Sequence, residues 1–243
     1  MAPPARLALI GGTSFLDTEP PAGSAAREVE TERGTVTVHE RDGVVVLQRH
    51  GLGEYRNAAR IDHARNISAL AALGCERILA VASVGALRPE LAVGSFICPD
   101  DFIALQLGLS LSTGRGGERV PGFDPGLRAE LITAWDRLAE PPLVDGGVYW
   151  QAIGPRFETV AEIRMIAAHA DVIGMTAASE CIVAGELGIP YAVVCVVDNL
   201  ANGIGAAPLS VDELKAGKER NRSLAVASIE AVAAGLASAG NVV

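Results

Sequence analysis

Short apolar runs alternate with longer amphipathic stretches along most of the 243-residue chain. Runs typical of buried strands are RLALIGG, GVVVLQ, ERILAVAS and YAVVCVV, and several stretches between them have apolar residues at helical spacing. This alternation predicts an α/β fold in which helices cover both faces of a largely parallel sheet. Ligands bind such sheets at the carboxyl ends of the strands. The polar residues that directly follow each strand are therefore the first candidates for a site.

Five helices are predicted from periodicity and from signals at their ends. They cover residues 61–74, 124–139, 158–170, 177–188 and 210–239. The first ends at Gly74, and the second begins with the cap residue Asp124 followed by Pro125. Between the helices, ASVGAL (82–87) predicts a strand that ends in a turn of small residues. Because α/β folds of this length commonly stay undivided, we expect residues 1–243 to form one domain.

The charge balance argues against two classes of partner. Lys and Arg number 20 against 29 Asp and Glu, which gives a net charge of -9, whereas nucleic acids and membrane surfaces require clustered positive charge. The four cysteines lack metal-ligand spacing, and no apolar segment approaches the length of a membrane span. We therefore expect a soluble, cytoplasmic protein with reduced cysteines, no metal site, and neither a nucleic-acid nor a membrane partner.

Three predicted strand ends carry groups that suit an oxyanion. LIGGTSF combines glycines, whose backbone amides can approach an anion, with the hydroxyl of Thr13. QRHG offers the planar guanidinium of Arg49 and the imidazole of His50 as donors. ASVGAL brings Ser83 to the predicted turn, where backbone amides can face a ligand. Each motif also has a structural explanation, as a tight turn, a solvated loop or close packing.

Other polar residues are less specific on their own. GPRFETVAE places the ring of Phe157 beside Glu158 at a helix entry, where the helix dipole also favours an acid. Asp198 and Asn199 interrupt the apolar run YAVVCVVDNLANG. KAGKER (215–220), in the last helix, is interpreted as a solvated basic face.

In order and spacing, these segments resemble those of the trimeric purine nucleoside phosphorylases and the related methylthioadenosine phosphorylases. The matching segments LIGGTSFLD, LQRHG, GPRFETVAE and ADVIGMTAASECIVAGELGIPYAVV span most of the chain. The resemblance implies a three-layer α/β sandwich around a mixed sheet, assembled as a homotrimer or a dimer of trimers. It also implies reversible phosphorolysis, in which inorganic phosphate attacks a purine nucleoside and releases the free base and a sugar 1-phosphate. Phosphate would be a co-substrate, and no metal or organic cofactor is implied.

The resemblance assigns roles to individual residues. The implied phosphate ligands are Thr13, Arg49, His50, the backbone of Ser83, and Thr176. Met175 would pack against the ribose and Phe157 beside the purine. His50, Glu158 and Asn199 form the implied catalytic set.

Two residues bear on the choice of base. Family members that act on 6-oxopurines have Glu and Asn at the positions of Glu158 and Asn199, whereas those that act on 6-aminopurines have a small residue and Asp. An amide can donate to N7 and O6, which suits hypoxanthine. Asp198 departs from the family pattern, and a register shift of one residue would place this acid at the base and favour adenine instead.

The 5′ end of the sugar is read from the last helix. Nucleoside phosphorylases that bind a 5′-hydroxyl have a His there, whereas this chain has Val211 and Leu214 in an apolar segment. The preferred substrate is therefore predicted to be 5′-methylthioinosine. Other departures are Glu54 and Tyr55, where methylthio-specific members have another His, and the dissimilar loop 112–122, which is expected to reach a neighbouring site.

Several alternatives stay open. The chain could be a 5′-methylthioadenosine phosphorylase or a general inosine and guanosine phosphorylase. A hydrolase would use water in place of phosphate, which leaves Arg49, His50 and Thr176 without a reason to be together. A nucleoside-binding protein without activity is the alternative from another class.

Overall fold

The computed structural model describes residues 6–12, 22–52, 54–112, 117–206 and 211–239. Within these ranges the chain forms a mixed sheet of 11 strands and five α-helices. The strands are β1 Arg6–Gly11, β2 Ala25–Thr31, β3 Gly34–Arg41, β4 Val44–Gln48, β5 Cys75–Ala86, β6 Phe96–Cys98, β7 Asp101–Ile103, β8 Leu143–Asp145, β9 Val148–Gln151, β10 Val172–Gly174 and β11 Tyr191–Leu200. The helices are α1 His63–Ala72, α2 Pro125–Leu138, α3 Val160–Ile166, α4 Ala177–Glu186 and α5 Val211–Ala239.

Strand β5 is the centre of the sheet. It pairs in parallel with β1 and β11 and, at its end, antiparallel with β10. From β1 the sheet continues through β4 to the antiparallel pair of β3 and β2, and from β10 it continues through β9 to β7. The predicted sheet of mainly parallel central strands is confirmed, and the antiparallel members make it mixed.

Two apolar layers pack the helices against opposite faces of this sheet. On one face, residues of α1 and α4 such as Ile67 and Val183 pack with alternate residues of β5 and β11. On the other face, residues of α2 and α5 such as Trp135 and Ile229 pack with the remaining alternate residues of the same strands. The predicted three-layer α/β sandwich is therefore confirmed.

The helix starts follow their sequence signals. Asp124 accepts a hydrogen bond from the backbone of Leu127 and caps α2, as predicted. Thr159 and Glu162 form a reciprocal capping box at the start of α3, which orients the chain that leads out of the GPRFE segment. Strands β2 and β8 have no clear sequence signal, because the first has the charged, exposed sequence AAREVET and the second has only three residues.

The predicted turn at ASVGAL is wrong. Strand β5 continues through Ala86 because β11 pairs with it as far as that residue. Within the described residues, β1 pairs with β5 only up to Ala80 and β10 only from Gly85, so residues 81–84 lie between these two partners. The backbone of Ser83 therefore lies beside the ends of β1 and β10 although the chain makes no turn there.

Helix α5 approaches the end of β11 unusually closely. Gly217 is buried against the backbone of Asp198, and a Cβ at this position would overlap with the Asp198 carbonyl oxygen. Four residues later, the side-chain amide of Asn221 donates to the carbonyl oxygen of Val197 at 3.1 Å and to a carboxylate oxygen of Asp198 at 3.0 Å. A glycine is thus required where the two backbones meet.

We predict that Gly217→Ala lowers the free energy of unfolding by about 1–3 kcal/mol, because the added methyl group must push α5 away from β11. Helix propensity alone would stabilise the protein by about 1 kcal/mol. The matched control is Gly235→Ala in the same helix, where the Cβ would lie 2.6 Å from the terminal methyl of the partly exposed Leu138, which can rotate away. Urea unfolding would contradict the prediction if both variants were equally stable.

Candidate active site

A cavity of about 250 Å³ opens at the carboxyl ends of the central strands. Eight of the residues predicted from the sequence line it: Arg49, His50, Ser83, Phe157, Glu158, Met175, Thr176 and Asn199. They come from five separate segments of the chain and meet beside residues 81–84 of β5, because β1 and β4 end at this level from one side and the oppositely directed β9 and β10 end near it from the other. Thr13 lies outside the described residues, although its neighbour Gly12 lines the cavity. The side chains of Val211 and Leu214 also lie outside the described part of the chain.

Arg49 is held by a buried carboxylate that the sequence reading did not identify. Its Nε and Nη2 donate to the two carboxylate oxygens of Glu180 at 2.5 and 2.9 Å, and Nη1 donates to the carbonyl oxygen of Val81 at 2.9 Å. Both side chains of the ion pair are 2% exposed. Among the described contacts, these bonds use three of the five guanidinium N–H groups and leave two that can reach a ligand.

The pair stays charged despite its burial. Burial by itself would lower the pKa of Arg49, but the charge and hydrogen bonds of Glu180 outweigh it and raise that pKa. Likewise, burial would raise the pKa of Glu180, but Arg49 outweighs it and holds the carboxyl pKa below its usual value. Tyr191 strengthens the arrangement by donating its hydroxyl proton to Glu180 at 2.8 Å. A sequence signal for Glu180 exists, since it is an acid in the middle of the mainly apolar helix AASECIVAGE.

His50 enters the cavity as a neutral ring. Burial, together with the nearby charge of Arg49, lowers its pKa to about 4. Its Nδ1 lies 2.7 Å from the carbonyl oxygen of Arg56, which can only accept, so Nδ1 carries the proton and Nε2 is an acceptor. In this tautomer Nε2 accepts hydrogen bonds, and the predicted contact of His50 with phosphate stays a prediction. Tyr55 stacks on the ring at a centroid distance of 4.7 Å.

Thr176 presents its hydroxyl at the start of α4. The hydroxyl oxygen of Tyr149 accepts hydrogen bonds from the backbone amides of Thr176 at 3.1 Å and Ala177 at 3.3 Å, which fixes the first turn of the helix. Thr176 is buried and makes no side-chain capping bond to the helix. Its hydroxyl is thus available to an anion in the cavity.

Phe157, Glu158 and Asn199 lie on the segments that follow β9 and end β11. Asn199 donates one amide proton to the carbonyl oxygen of Leu200 at 2.8 Å. Asn202, which also lines the cavity, donates to the backbone carbonyl of Glu158 at 3.1 Å and joins the two segments. Burial raises the pKa of Glu158. The ring of Phe157 is 41% exposed at the rim.

The structure separates the roles of Asp198 and Asn199. The pairing register between β11 and β5 shifts by one residue at Asp198, which is typical of a β-bulge. Asp198 is 1% exposed and accepts hydrogen bonds from the hydroxyl of Ser83 at 2.5 Å and from Asn221 on α5. Asn199, and not Asp198, is among the described residues that line the cavity. The alternative register that would place the acid at the base is therefore not the observed one.

The last helix contributes a residue that the sequence reading placed elsewhere. KAGKER was interpreted as a solvated basic face, and Lys215 and Arg220 are indeed exposed. Lys218, however, is half-buried and lines the cavity. Its charge contributes to the lowered pKa of His50.

The described residues contain no group of three or more His, Cys, Asp or Glu side chains arranged to hold a metal ion. In the same part of the chain, no helix is long and apolar enough to cross a membrane.

Comparison with known proteins places these features in context. A sequence profile of the phosphorylase superfamily matches residues 3–234. A probable 6-oxopurine nucleoside phosphorylase from Archaeoglobus fulgidus is 41% identical over 202 residues, which cover 82% of this chain and 83% of the relative. A probable S-methyl-5′-thioinosine phosphorylase from Methanocaldococcus jannaschii is 34% identical over 215 residues, covering 86% and 84%. The structure of a methylthioadenosine phosphorylase from Schistosoma mansoni in complex with adenine is similar, with a TM-score of 0.81 at 26% identity, covering 97% of this chain and 92% of that one.

We predict that the free energy of unfolding falls as the pH is lowered from about 6.5 to about 4. The pKa values of His50 and His63 are both lowered to about 4, mainly by burial. In the unfolded chain both rings take up a proton near pH 6.5. Because the unfolded state then binds more protons than the folded state, each ring contributes a slope of up to about 1.4 kcal/mol per pH unit.

Substitution of His63 isolates the contribution of this one ring to the pH dependence of the unfolding free energy. His63 is buried, and its Nδ1 has no hydrogen-bond partner among the described residues and lies 3.8 Å from Glu180. His63→Gln should therefore reduce the slope of the unfolding free energy against pH by up to about 1.4 kcal/mol per pH unit, the contribution of one proton. The exposed His169, substituted in the same way, is the matched control. Urea unfolding at several pH values measures the slope, and a free energy that stayed constant between pH 7 and 5 would contradict the prediction.

Proposed function

The chain belongs to the phosphorylase superfamily, and on this premise we propose that it catalyses the reversible phosphorolysis of a 6-oxopurine nucleoside, with 5′-methylthioinosine as the preferred substrate. The products are hypoxanthine and a sugar 1-phosphate. The enzyme is accordingly a pentosyltransferase. The curated relatives at 33–41% identity are named for this base class or for the methylthio nucleoside.

One observation carries the proposal: a single cavity is lined both by groups suited to phosphate and by groups suited to a 6-oxopurine. Arg49 and Thr176 bring N–H and O–H donors for phosphate into the cavity. Glu158 and Asn199 bring into the same cavity the carboxylate and the amide that suit the edge of a 6-oxopurine. A nucleoside hydrolase needs only a water molecule in place of the anion. The buried guanidinium therefore favours phosphate as the attacking group.

The chemistry needs a positioned nucleophile and a stabilised leaving group. A phosphate oxygen forms a bond to the anomeric carbon while the bond from that carbon to N9 of the purine breaks, and the electron pair moves into the base. Asn199 uses one amide proton on Leu200 among the described contacts, which leaves the other for N7 of the departing base. Glu158, as a carboxylate, accepts the N1–H that a 6-oxopurine presents. Inorganic phosphate is the co-substrate, and we assign no cofactor or metal to this chemistry.

Assembly and location are proposals of the same kind. We expect a homotrimer or a dimer of trimers in the cytoplasm, acting on a purine nucleoside and phosphate. The exposed side chains of Leu105 and Val120, which are 80% and 92% accessible in the isolated chain, support contacts between subunits beside the 112–122 loop. Sedimentation velocity of the purified protein measures the oligomeric state.

We predict phosphate-dependent release of hypoxanthine from 5′-methylthioinosine. The panel comprises inosine, 5′-methylthioinosine, adenosine and 5′-methylthioadenosine, each with and without phosphate. Since a site built for one pattern of base donors leaves buried polar groups unpaired with the other, kcat/KM for the 6-oxo nucleosides should be about 10²–10⁴-fold higher. Release without phosphate would indicate a hydrolase, a preference for adenine would favour the methylthioadenosine alternative, and a preference for inosine would refute the methylthio assignment.

We predict that Asn199→Asp lowers kcat/KM for the 6-oxo substrate by about 10- to 100-fold, because the amide donor to N7 is lost. The ratio of adenine to hypoxanthine release should rise. Asn57→Asp is the matched control, since Asn57 also lines the cavity and the substitution introduces the same charge. If the two variants changed the ratio equally, Asn199 would not read the base.

A further inference from the structure

The cavity has little positive charge where phosphate is expected to bind. The charge of Arg49 is compensated by Glu180, which holds it through two short hydrogen bonds in a buried pair. His50 is neutral at physiological pH because its pKa is lowered to about 4 by burial and by Arg49. Phosphate at neutral pH is an anion that needs more compensation than these two groups supply.

Lys218 is the other cationic side chain among the described residues that line this cavity. It is half-buried in α5, and Arg49, His50, Ser83 and Thr176 line the same cavity. The charge of Lys218 makes a small contribution to the lowered pKa of His50, after burial and the charge of Arg49. An ammonium group offers three hydrogen-bond donors and a compact charge on a flexible stem.

The fold fixes the position of Lys218 from both sides along the helix. The preceding residue, Gly217, is in backbone contact with Asp198, so the helix cannot shift outward or inward without changing this contact. Three residues after Lys218, Asn221 donates to Asp198 and to the carbonyl oxygen of Val197. Asp198 in turn accepts from the hydroxyl of Ser83. The bulged residue of β11 therefore aligns Lys218 with the same part of β5 that contributes to the phosphate site.

We propose that Lys218 binds the phosphate co-substrate directly and adds a cationic donor to the N–H and O–H groups of Arg49 and Thr176 in the same cavity. The inference rests on the proposed phosphorolysis. In this step Lys218 transfers no proton: a phosphate oxygen forms the bond to the anomeric carbon, and the electron pair of the broken bond moves into the purine. The ammonium group thus holds the nucleophile in place and takes no part in breaking the bond to the purine.

The test compares Lys218→Met with Lys215→Met. Both substitutions remove one positive charge from α5 and keep an unbranched side chain, but Lys215 is exposed. We expect KM for phosphate to rise about 10- to 100-fold in the Lys218 variant, the range for loss of a charge-assisted hydrogen bond, with KM for the nucleoside changed less than about threefold. Lys218→Arg should recover most of the affinity for phosphate.

A second measurement does not depend on turnover. Inorganic phosphate should raise the Tm of the wild type and of Lys215→Met, and it should raise the Tm of Lys218→Met much less at the same concentration. If Lys218→Met does not fold, Lys218→Gln replaces it in both measurements.

The outcomes separate the two proposals. Base release by the wild type that does not depend on phosphate would overturn the proposed phosphorolysis itself. A phosphate-dependent wild type whose Lys218 and Lys215 variants share one KM for phosphate would overturn only the inference about Lys218. An equal rise in KM for phosphate and nucleoside would overturn it as well, because loss of packing at α5 would explain both.

Discussion

The buried ion pair between Arg49 and Glu180 is the interaction on which the cavity depends. It joins the end of β4 to α4, and Tyr191 of β11 and the backbone of Val81 in β5 complete its hydrogen bonds. The backbone carbonyl of Arg49 also accepts from Asn66 of α1 at 3.1 Å. Loss of one partner from such a pair leaves an uncompensated buried charge, which typically costs about 3–5 kcal/mol. The pair therefore fixes five elements around the cavity while it limits the net charge that Arg49 offers to a ligand.

This constraint changes how the RHG segment is understood. From the sequence, Arg49 and His50 form two donors to one anion. In the structure, Arg49 has two N–H groups left among the described contacts, and His50 presents an acceptor, so the segment provides geometry more than charge. An acceptor at Nε2 suits a protonated phosphate oxygen or a sugar hydroxyl. Positive charge must then come from another part of the chain, and α5 is the element that brings it.

Local patterns predicted the architecture well because the strands and helices obey local rules. Apolar runs such as YAVVCVV are buried on both faces, and caps such as Asp124 form hydrogen bonds that depend on neighbours three residues away. The incorrect or missing predictions concern residues whose structure is determined by a partner that is distant in sequence. Pairing with β11 extends β5 through the expected turn, the Glu180 carboxylate 131 residues away engages Arg49, and docking on Asp198 turns Lys218 from solvent to the cavity. Of these contacts, only the one made by Glu180 has a local signal, an acid in the middle of a mainly apolar helix, and that signal does not identify Arg49 as its partner.

The adjacent residues Asp198 and Asn199 show how one added residue in a strand serves two functions. If the register of Val197 opposite Val84 simply continued, Asn199 would lie opposite Ala86; the shift at Asp198 places it opposite Gly85. A Cβ on Gly85 would lie 3.1 Å from the amide nitrogen of Asn199, which is a tight contact, so the glycine gives this amide room at the cavity wall. The same shift leaves Asp198 on the α5 side, where it holds Ser83 and Asn221. Bulges are frequent next to active sites because they redirect side chains in this way, and here the redirected amide and the helix that carries Lys218 are set by the same residue.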